Sequence, residues 1–410
     1  MQEILDRFIR YAKINTRSDE NITDHTPSTE TQRNLARLLE KELKDLGMQD
    51  VLLNEKCFLT AALPANTDKK LPVIGFLAHM DTSPDFAADG VKPQIIENYD
   101  GGDIPLKGKA GMVLSPKKFP ALLKYKGETL VTTDGTTLLG ADDKAGIAAI
   151  MNALEYMIAN PGFKHGTIKV GFTPDEETSY GIDHFDVKRF AADFAYTVDG
   201  GELGEMEYEN FNAGRAIVTV HGKSVHTGDA KNVMVNAMLV FFEFNSLLPV
   251  EQRPEYTAGR EGFYHLWKVS EGSVEQIEGT YLLRDHDAAK YGREKQMILD
   301  CAEFMNKKYG AGTVEIRIQE LYRNMREQLE PVIHIVETAQ QAMRELGITP
   351  ITNPIRGGTD GARLSFKGLP TPNIFNGGHN FHGPYEFLVV DTMRKASQVI
   401  LKIIELYTNK

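Results

Sequence analysis

Three short apolar segments that lead into histidine or acidic residues most constrain what this chain can fold into. The segments are residues 73–78, 168–173 and 194–198, and they lead into His79, the run from Asp175 to Glu177, and Asp199. Apolar runs of this length, separated by helical or turn-rich stretches, are typical of buried strands in an α/β sheet. Because open α/β sheets bind ligands at the carboxyl ends of their strands, these three ends predict one polar site.

A second pattern of elements, from about residue 211 to residue 323, predicts an inserted domain. Its predicted elements are strand 215–221, helix 233–248, strands 262–270 and 279–285, helix 287–309 and strand 313–320. The order β-α-β-β-α-β is that of the ferredoxin-like unit, which is complete in itself. The length of 410 residues also exceeds the ~250–300 at which a single core stops growing. We therefore expect a first domain of residues 1–210 and 324–410, interrupted by residues 211–323.

Helices are predicted on both sides of this insertion. They begin near Ile4, after the pattern Thr29-x-x-Gln32, near Pro331 and at Thr392. Threonine followed three residues later by glutamine is typical of a capping box at a helix start, and Gly47 supplies the stop. A glycine-rich turn from Arg356 to Gly361 precedes the last helix.

Composition excludes several classes of protein. A net charge of -11 without a dense stripe of basic residues argues against nucleic-acid binding. No apolar run approaches the ~18 residues of a membrane span, and the first thirty residues lack the pattern of a secretory leader, so we expect a cytoplasmic protein. Two cysteines, Cys57 and Cys301, are too few for a disulfide framework or a thiolate zinc site. Any bound metal must therefore use histidine and carboxylate ligands.

The motif His79-Met-Asp81 directly follows the first predicted strand. Side chains two positions apart on a strand share a face, so the aspartate can orient the histidine as a metal ligand through its second ring nitrogen. A histidine near a strand end is more often structural, and this motif alone does not decide between the two.

Two acidic segments add candidate ligands. The first, Gly140-Ala-Asp-Asp-Lys-Ala-Gly146, opens a helix, where Asp143 fits a capping role and Asp142 a metal, although neither reading follows from the segment alone. The second, from Thr173 to Glu177, crowds three carboxylates, which solvation can also explain. Neighbouring side chains of an extended segment point opposite ways, so one of its two glutamates can bind metal while the other handles protons.

The late segment Gly378-His379-Asn-Phe-His382-Gly383 adds histidines, and the charge count favours two zinc ions. Asp142, Asp199 and Glu177 with one hydroxide balance two divalent cations, and neutral His79 and His382 complete the ligands. Nitrogen and oxygen ligands without thiolates suit zinc, for which manganese or cobalt can substitute.

Taken together, these motifs resemble the aminoacylase and glutamate carboxypeptidase clan of zinc peptidases. The motifs are His79-x-Asp81, Gly140 to Gly146, Pro174-Asp-Glu-Glu177, Thr197-Val-Asp-Gly-Gly201 and Arg356-Gly-Gly-Thr-Asp-Gly-Ala362. The stretches Glu207-x-Glu-Asn-Phe-Asn212, Glu261-Gly-Phe-Tyr-His265 and 355–365 resemble the tripeptide aminopeptidases of that clan in particular. The resemblance covers essentially the whole chain. It implies an α/β di-zinc exopeptidase domain with an inserted ferredoxin-like lid, and an enzyme that removes the first residue of short peptides.

The resemblance also implies a role for each residue of the metal site. Asp142 is expected to bridge two zinc ions, His79 and Asp199 to bind one of them, and Glu177 and His382 to bind the other. Glu176 is expected to be the general base and Asp81 to orient His79. The peptide bond between Asp142 and Asp143 is expected to be cis.

On the substrate side, the resemblance implies contacts from His226, Arg284, Arg356 and Gly358, and a homodimer formed through the lid in which His226 serves the partner's site. The chain has His226-Thr-Gly where the clan often has His-Pro-Gly, so the loop carrying His226 can be set differently. A dipeptidase or an N-acyl amino acid deacylase of the same clan would keep every metal ligand and stays an alternative. The alternative from another class is a peptide-binding protein without activity.

Overall fold

The computed structural model describes residues 4–178, 181–270 and 272–409. The chain divides into two compact units. The first comprises Met1–Tyr208, Glu327–Asn353 and Thr359–Lys410, and the second comprises Glu209–Arg326 and Pro354–Gly358. The second unit thus takes in a short segment from the glycine-rich turn, which a single continuous insertion does not contain.

The helices and strands of the described residues are as follows. The α-helices are α1 Ile4–Ala12, α2 Gln32–Asp45, α3 Ala141–Ala159, α4 Val187–Phe190, α5 Ala237–Leu247, α6 Ala288–Tyr309, α7 Arg326–Leu329, α8 His334–Glu345, α9 Asp360–Phe366 and α10 Val390–Asn409. The first ten strands are β1 Gln49–Leu53, β2 Leu59–Leu63, β3 Ile74–His79, β4 Gln94–Ile96, β5 Ile104–Pro105, β6 Val113–Leu114, β7 Leu130–Thr132, β8 Ile168–Thr173, β9 Phe194–Gly200 and β10 Met206–Glu207. The remaining strands are β11 Asn212–His221, β12 Phe263–Val269, β13 Gln276–Asp285, β14 Val314–Tyr322, β15 Asn373–Phe375, β16 Gly378–His379 and β17 Phe387–Val389.

The first unit is built on a seven-stranded sheet of order β1-β2-β8-β3-β9-β15-β10. Its central strands β8, β3, β9 and β15 run parallel. Every residue of β3 is buried, as expected of an apolar run covered on both faces of a parallel sheet. Because these strands are parallel, His79, Thr173 and Gly200 end them at the same edge. The mixed α/β class predicted from the sequence is confirmed.

Helix α3 covers the middle of this sheet. It packs on β3 and β9 and against α1 and α10. A Cβ atom at Gly146 would collide with the carbonyl oxygen of Val198, so only glycine lets the helix approach β9 this closely. None of the described helices is long and apolar enough to cross a membrane.

The first unit also contains a smaller antiparallel sheet of order β16-β17-β7-β4. It has its own apolar core, which includes Leu130, Phe387 and Val389. This sheet carries the late histidine segment, because β16 ends at His379.

The second unit is a four-stranded antiparallel sheet of order β12-β13-β11-β14. Helices α5 and α6 pack on it, and Phe241, Phe244 and Ile298 lie in the shared core. Its order of elements is β-α-β-β-α-β, as the sequence predicts. Helix α5 begins four residues later than the predicted residue 233, because Asn236 accepts hydrogen bonds from the amides of Met238 and Leu239 and so caps the helix.

Three buried asparagines, Asn210, Asn212 and Asn324, hold together the places where the chain enters and leaves the second unit. The Asn210 side chain donates to the carbonyl of Arg323 at 3.0 Å and accepts from the amide of Met325 at 2.7 Å. Asn212 accepts from the amide of Asn324 at 3.0 Å, and Asn324 accepts from the amide of Asn210 at 3.1 Å. We call these three residues the asparagine clasp.

Candidate metal centre

His79 is held at the end of β3 with one ring nitrogen directed into the first unit's polar site. Its Nδ1 lies 3.0 Å from the carbonyl oxygen of Asp81. A carbonyl oxygen can only accept, so Nδ1 carries the proton and Nε2 is left to bind a metal ion. The sequence predicts that the Asp81 carboxylate orients this ring, but Oδ1 of Asp81 lies further away, at 3.5 Å.

The Asp81 carboxylate instead contacts the turn that carries the two candidate glutamates. Oδ1 accepts from the amide of Glu176 at 3.0 Å, and Oδ2 accepts from the amide of Glu177 at 3.2 Å. Asp81 is fully buried. It therefore fixes both glutamates relative to His79.

Asp142 stands between the two candidate histidines. Its Oδ1 lies 2.7 Å from Nε2 of His79, and its Oδ2 lies 3.4 Å from Nε2 of His382. The peptide bond between Asp142 and Asp143 is cis. Burial raises the pKa of Asp142, but hydrogen bonds from His382 and His79 outweigh it and the net shift is downward. Each oxygen of one carboxylate thus faces a different histidine, which is the arrangement of a bridging ligand.

Glu177 and Asp199 complete the two sides of the site. Oε2 of Glu177 lies 2.9 Å from Nε2 of His382, and Oδ1 of Asp199 lies 3.5 Å from Nε2 of His79. The other oxygen of Glu177 is buried without a hydrogen-bond partner among the described residues. Burial and the charge of Asp142 raise the pKa of Glu177 to about 8 and that of Asp199 to about 6. Crowded carboxylates with an unpaired oxygen fit a site that divalent cations neutralise.

Asp143 lies beside the five candidate ligands. It approaches His79 and Asp199 closely enough to form a metal-binding group with them. Its own oxygens already accept hydrogen bonds, from the amides of His79 and Gly146 and from the side chain of Asn376 at 2.9 Å. These contacts favour the structural role over metal binding.

Of the two late histidines, only His382 joins this group. His379 lies with its Nε2 2.7 Å from the hydroxyl of Tyr125 and its ring stacked on Phe387. Burial lowers the pKa of His379 to about 4, so it is neutral at physiological pH. His379 serves the small sheet and not the metal ligands.

The first carboxylate of the acidic segment, Asp175, is directed away from the metal ligands. Its oxygens accept from the amide and hydroxyl of Ser28 at 2.7 and 2.6 Å, and from the side chain of Gln32 at 2.7 Å. The predicted capping box does not form: the N-cap of α2 is Thr31, and no side chain caps this helix. The side chain of Gln32 instead links the start of α2 to the turn that carries Glu176 and Glu177.

Glu176 is the remaining carboxylate of this turn. Burial raises its pKa well above the usual range, with further contributions from Asp360, Asp199 and Glu177, while His79 lowers it. Burial favours the protonated form, which can return a proton, while neighbouring cations would favour the carboxylate that accepts one. Its environment therefore suits the predicted general base.

Two residues of the site were missed by sequence reasoning. Asp360 is buried and accepts a hydrogen bond of 2.8 Å from the hydroxyl of Thr173. Glu386 accepts from the amides of Leu139, Gly140 and Asp142 and so holds the turn before α3. Asp360 stands in the glycine-rich motif, which could have singled it out. Nothing in the sequence around Glu386 indicates its role.

The candidate substrate residues belong to the second unit. Arg284 donates to the carbonyls of Gly214 and Leu283, and its guanidinium lies 5.4 Å from the ring centre of Tyr322. Gly358 lies against the same ring, because a Cβ there would come within 2.8 Å of Tyr322. Arg284 and Gly358 therefore flank one aromatic side chain.

Arg356 and His226 are placed differently. Arg356 donates to the carbonyls of Gly259 and Glu261, at 2.7 and 3.2 Å, and so holds the loop before β12. His226 is exposed and accepts from the amide of Gly228 at 3.1 Å. It follows the end of β11, whereas Arg284 pairs with Ala213 near the start of β11. Ten strand residues span roughly 30 Å, so His226 and Arg284 lie at opposite ends of this sheet.

Comparison with known proteins places this geometry in a family. Residues 131–406 match the sequence model of peptidase family M20/M25/M40. Peptidase T of Alkaliphilus oremlandii is 56% identical over 410 residues, which cover 100% of both chains. Among solved structures, aminopeptidase PepT of Bacillus cereus superposes with a TM-score of 0.78 at 22% identity, covering 99% of this chain and 98% of that one. A dinuclear metal-binding peptidase of the M20 family from Bacillus subtilis superposes with a TM-score of 0.65 at 14% identity, covering 98% of each chain. These two structures show the same fold.

Proposed function

This chain belongs to peptidase family M20/M25/M40, and from that premise we propose that it is a metal-dependent aminopeptidase that removes the first residue of tripeptides. The full-length relative at 56% identity is named Peptidase T. The observation that carries the proposal is the Asp142 carboxylate, whose two oxygens face His79 and His382 separately. A carboxylate whose two oxygens face different histidines can bridge a pair of metal ions.

The proposed metal ligands form two sets that share Asp142. His79 and Asp199 form one, and Glu177 and His382 form the other. Two zinc ions fit this set of nitrogen and oxygen donors. When bound, such a pair polarises a carbonyl group and makes water a nucleophile at neutral pH.

Glu176 is proposed to move the proton of the reaction. Its carboxylate accepts a proton from the attacking water and passes it to the amine that leaves from the peptide bond. Burial raises the pKa of Glu176 and so favours the protonated form that holds the proton between the two steps, whereas neighbouring metal ions would lower this pKa and favour the carboxylate that accepts it. Asp81 acts on this step indirectly, because its carboxylate fixes the backbone of Glu176.

Arg284 is proposed to bind the terminal carboxylate of the substrate, and His226 to stabilise the oxyanion. Arg356 is proposed to act indirectly: its side chain holds the loop at Gly259, and it belongs to the same turn as Gly358. A cytoplasmic location, which the sequence predicts, stays a prediction.

Peptides that differ at one end test this function. The purified chain with zinc should cleave a tripeptide such as Leu-Gly-Gly and release leucine, while the N-acetylated tripeptide should stay intact. A dipeptide and an N-acetyl amino acid should be cleaved far more slowly, as measured by chromatography of the products. Brisk hydrolysis of the acetylated tripeptide would contradict an aminopeptidase, and preference for the N-acetyl amino acid would identify a deacylase.

A further inference from the structure

A cavity of about 670 Å³ lies in the second unit. One wall is the start of α6, which contributes Lys290, Arg293, Glu294 and Met297. Lys290, Glu294 and Met297 are spaced three or four residues apart and so lie on one face of the helix, with Arg293 beside them. The opposite wall is the loop of residues 249–262, between α5 and β12. The volume lies within the range of small-molecule sites, ~300–1,000 Å³.

Two carboxylates meet in the depth of this cavity. Glu294 is 5% exposed and Asp285 is 4% exposed. A Cβ atom at Gly262 would collide with Oδ2 of Asp285 and would lie 2.5 Å from Oε1 of Glu294, so both carboxylates close on this glycine. Only glycine leaves room for them.

Glu294 lacks the partner that a buried charge needs. Among the described residues, no hydrogen bond reaches its Oε2, which is fully buried. Oδ1 of Asp285, by contrast, accepts from the amide of Asp287 at 2.7 Å. Burial and Asp285 raise the pKa of Glu294 to about 9, despite the opposing charge of Arg284. A buried carboxylate without a partner costs stability, and a bound cation would remove that cost.

The charges along the cavity decide which cation fits. Its outer part carries exposed charges of both signs: Lys290 and Arg293, one turn or less from Glu294, and Glu251 and Glu261, of which Glu261 accepts from the amide of Ala258. Lys290 and Arg293 disfavour a bare metal ion, which would also leave most of the volume empty. A molecule with a positive and a negative group satisfies both ends, and Tyr264 and Met297 offer apolar surface for a side chain.

We propose that this cavity is a second ligand site that binds a free α-amino acid. Its ammonium group contacts Asp285 and Glu294, and its carboxylate contacts Lys290 and Arg293. Neighbouring residues of a strand point to opposite faces, so Asp285 is directed away from the side of Arg284. The site rests on the second unit alone and does not depend on the proposed catalytic function.

Hydrogen–deuterium exchange of the full-length, zinc-loaded chain with leucine tests this site. Leucine should slow exchange in residues 249–262 and 288–297. Glu294→Gln keeps the shape but cannot become the carboxylate that accepts from the ammonium group. It should raise the leucine concentration needed for this protection roughly 10- to 100-fold, as expected for a hydrogen bond to a charged group. Glu303→Gln, which changes an exposed acid paired with Lys307 on the same helix, is the matched control and should leave the protection unchanged.

Two analogues separate the halves of the ligand. N-acetylleucine lacks the ammonium group and isopentylamine lacks the carboxylate, so neither should protect these segments at concentrations where leucine does. Protection by N-acetylleucine, equal protection by isopentylamine, or unchanged protection in Glu294→Gln would overturn the proposal, as would no protection by leucine. Leucine bound at the catalytic centre would protect the segments around residues 79, 142 and 176–177 of the first unit, and that protection would not change in Glu294→Gln.

Discussion

At the scale of single residues, the site is organised by carboxylates with different tasks. Asp142 faces both histidines, whereas Asp81 contacts the amides of Glu176 and Glu177. The two adjacent glutamates also differ: Oε2 of Glu177 lies 2.9 Å from His382, and Glu176 is placed near Asp360 and Asp199. The same side-chain chemistry therefore serves positioning and, in the proposed mechanism, ligation and proton transfer.

The adjacent glutamates provide the most direct prediction. Glu176→Gln should retain about two zinc ions per chain, because Glu176 is not a proposed ligand, yet it should lose nearly all turnover because the proton acceptor is gone. Glu177→Gln should lose zinc. Elemental analysis after gel filtration and a tripeptide assay measure both effects. Equal loss of zinc in the two variants would show that their roles were divided wrongly.

How far the sequence predicts these residues depends on their local context. His79 and Asp199 could be predicted because each stands at the end of an apolar strand. Glu386 could not, because it is a single acid without a local pattern and contacts amides about 246 residues away in the chain. The contact of Asp81 with the glutamate turn was missed for a related reason. Alternation along a strand predicts which face a side chain occupies, but not which backbone amides a neighbouring loop presents.

At the scale of elements, some bounds were predicted closely, whereas others were wrong by several residues. The segment 168–173 was predicted as a strand and is β8, with the same bounds. The predicted start of α5 was wrong by four residues, because apolar residues continue before Asn236 and only its side-chain contacts show the cap. Apolar periodicity reports burial, while a helix end is decided by individual hydrogen bonds.

The asparagine clasp predicts a measurable effect on the second unit. Asn210→Ala would leave the amide of Met325 and the carbonyl of Arg323 without this partner inside the protein. Such a loss typically costs ~1–3 kcal/mol of unfolding free energy. The protein has one tryptophan, Trp267 on β12, so its fluorescence during urea unfolding reports the second unit. Gln296→Ala, an exposed change on α6, is the control, and equal midpoints for the two variants would contradict the role of the clasp.

At the scale of the whole molecule, the second unit raises the question of which active site its exposed histidine serves. His226 and Arg284 lie at opposite ends of β11, so they are unsuited to grip one tripeptide from the same subunit. This separation supports the proposal that the chain acts as a homodimer, in which His226 reaches the partner's site.

Mixed dimers test this proposal. His226→Ala should lower turnover by ~10²–10³, the usual effect of losing one oxyanion donor, and keep its zinc. Exchanging subunits of Glu176→Gln with subunits of His226→Ala should restore one working site per mixed dimer, because only action in trans pairs an intact Glu176 with an intact His226. Verified subunit exchange without recovered activity, or a monomer at assay concentration, would count against it.

The proposed ligands also have a thermodynamic consequence, because residues 79, 142, 177, 199 and 382 come from distant parts of the first unit. Ions that bind only the folded form act as cross-links between these segments and raise its melting temperature by mass action. A chelator should therefore lower the melting temperature of the first unit, by roughly 2–4 °C for each kcal/mol of linkage lost. The melting temperature measured by the fluorescence of Trp267, which reports the second unit, should shift less than the melting temperature measured by the circular dichroism of the whole chain. Two separate melting transitions after chelation would mean that the metal ions, and not the polypeptide alone, keep the unfolding of this molecule cooperative.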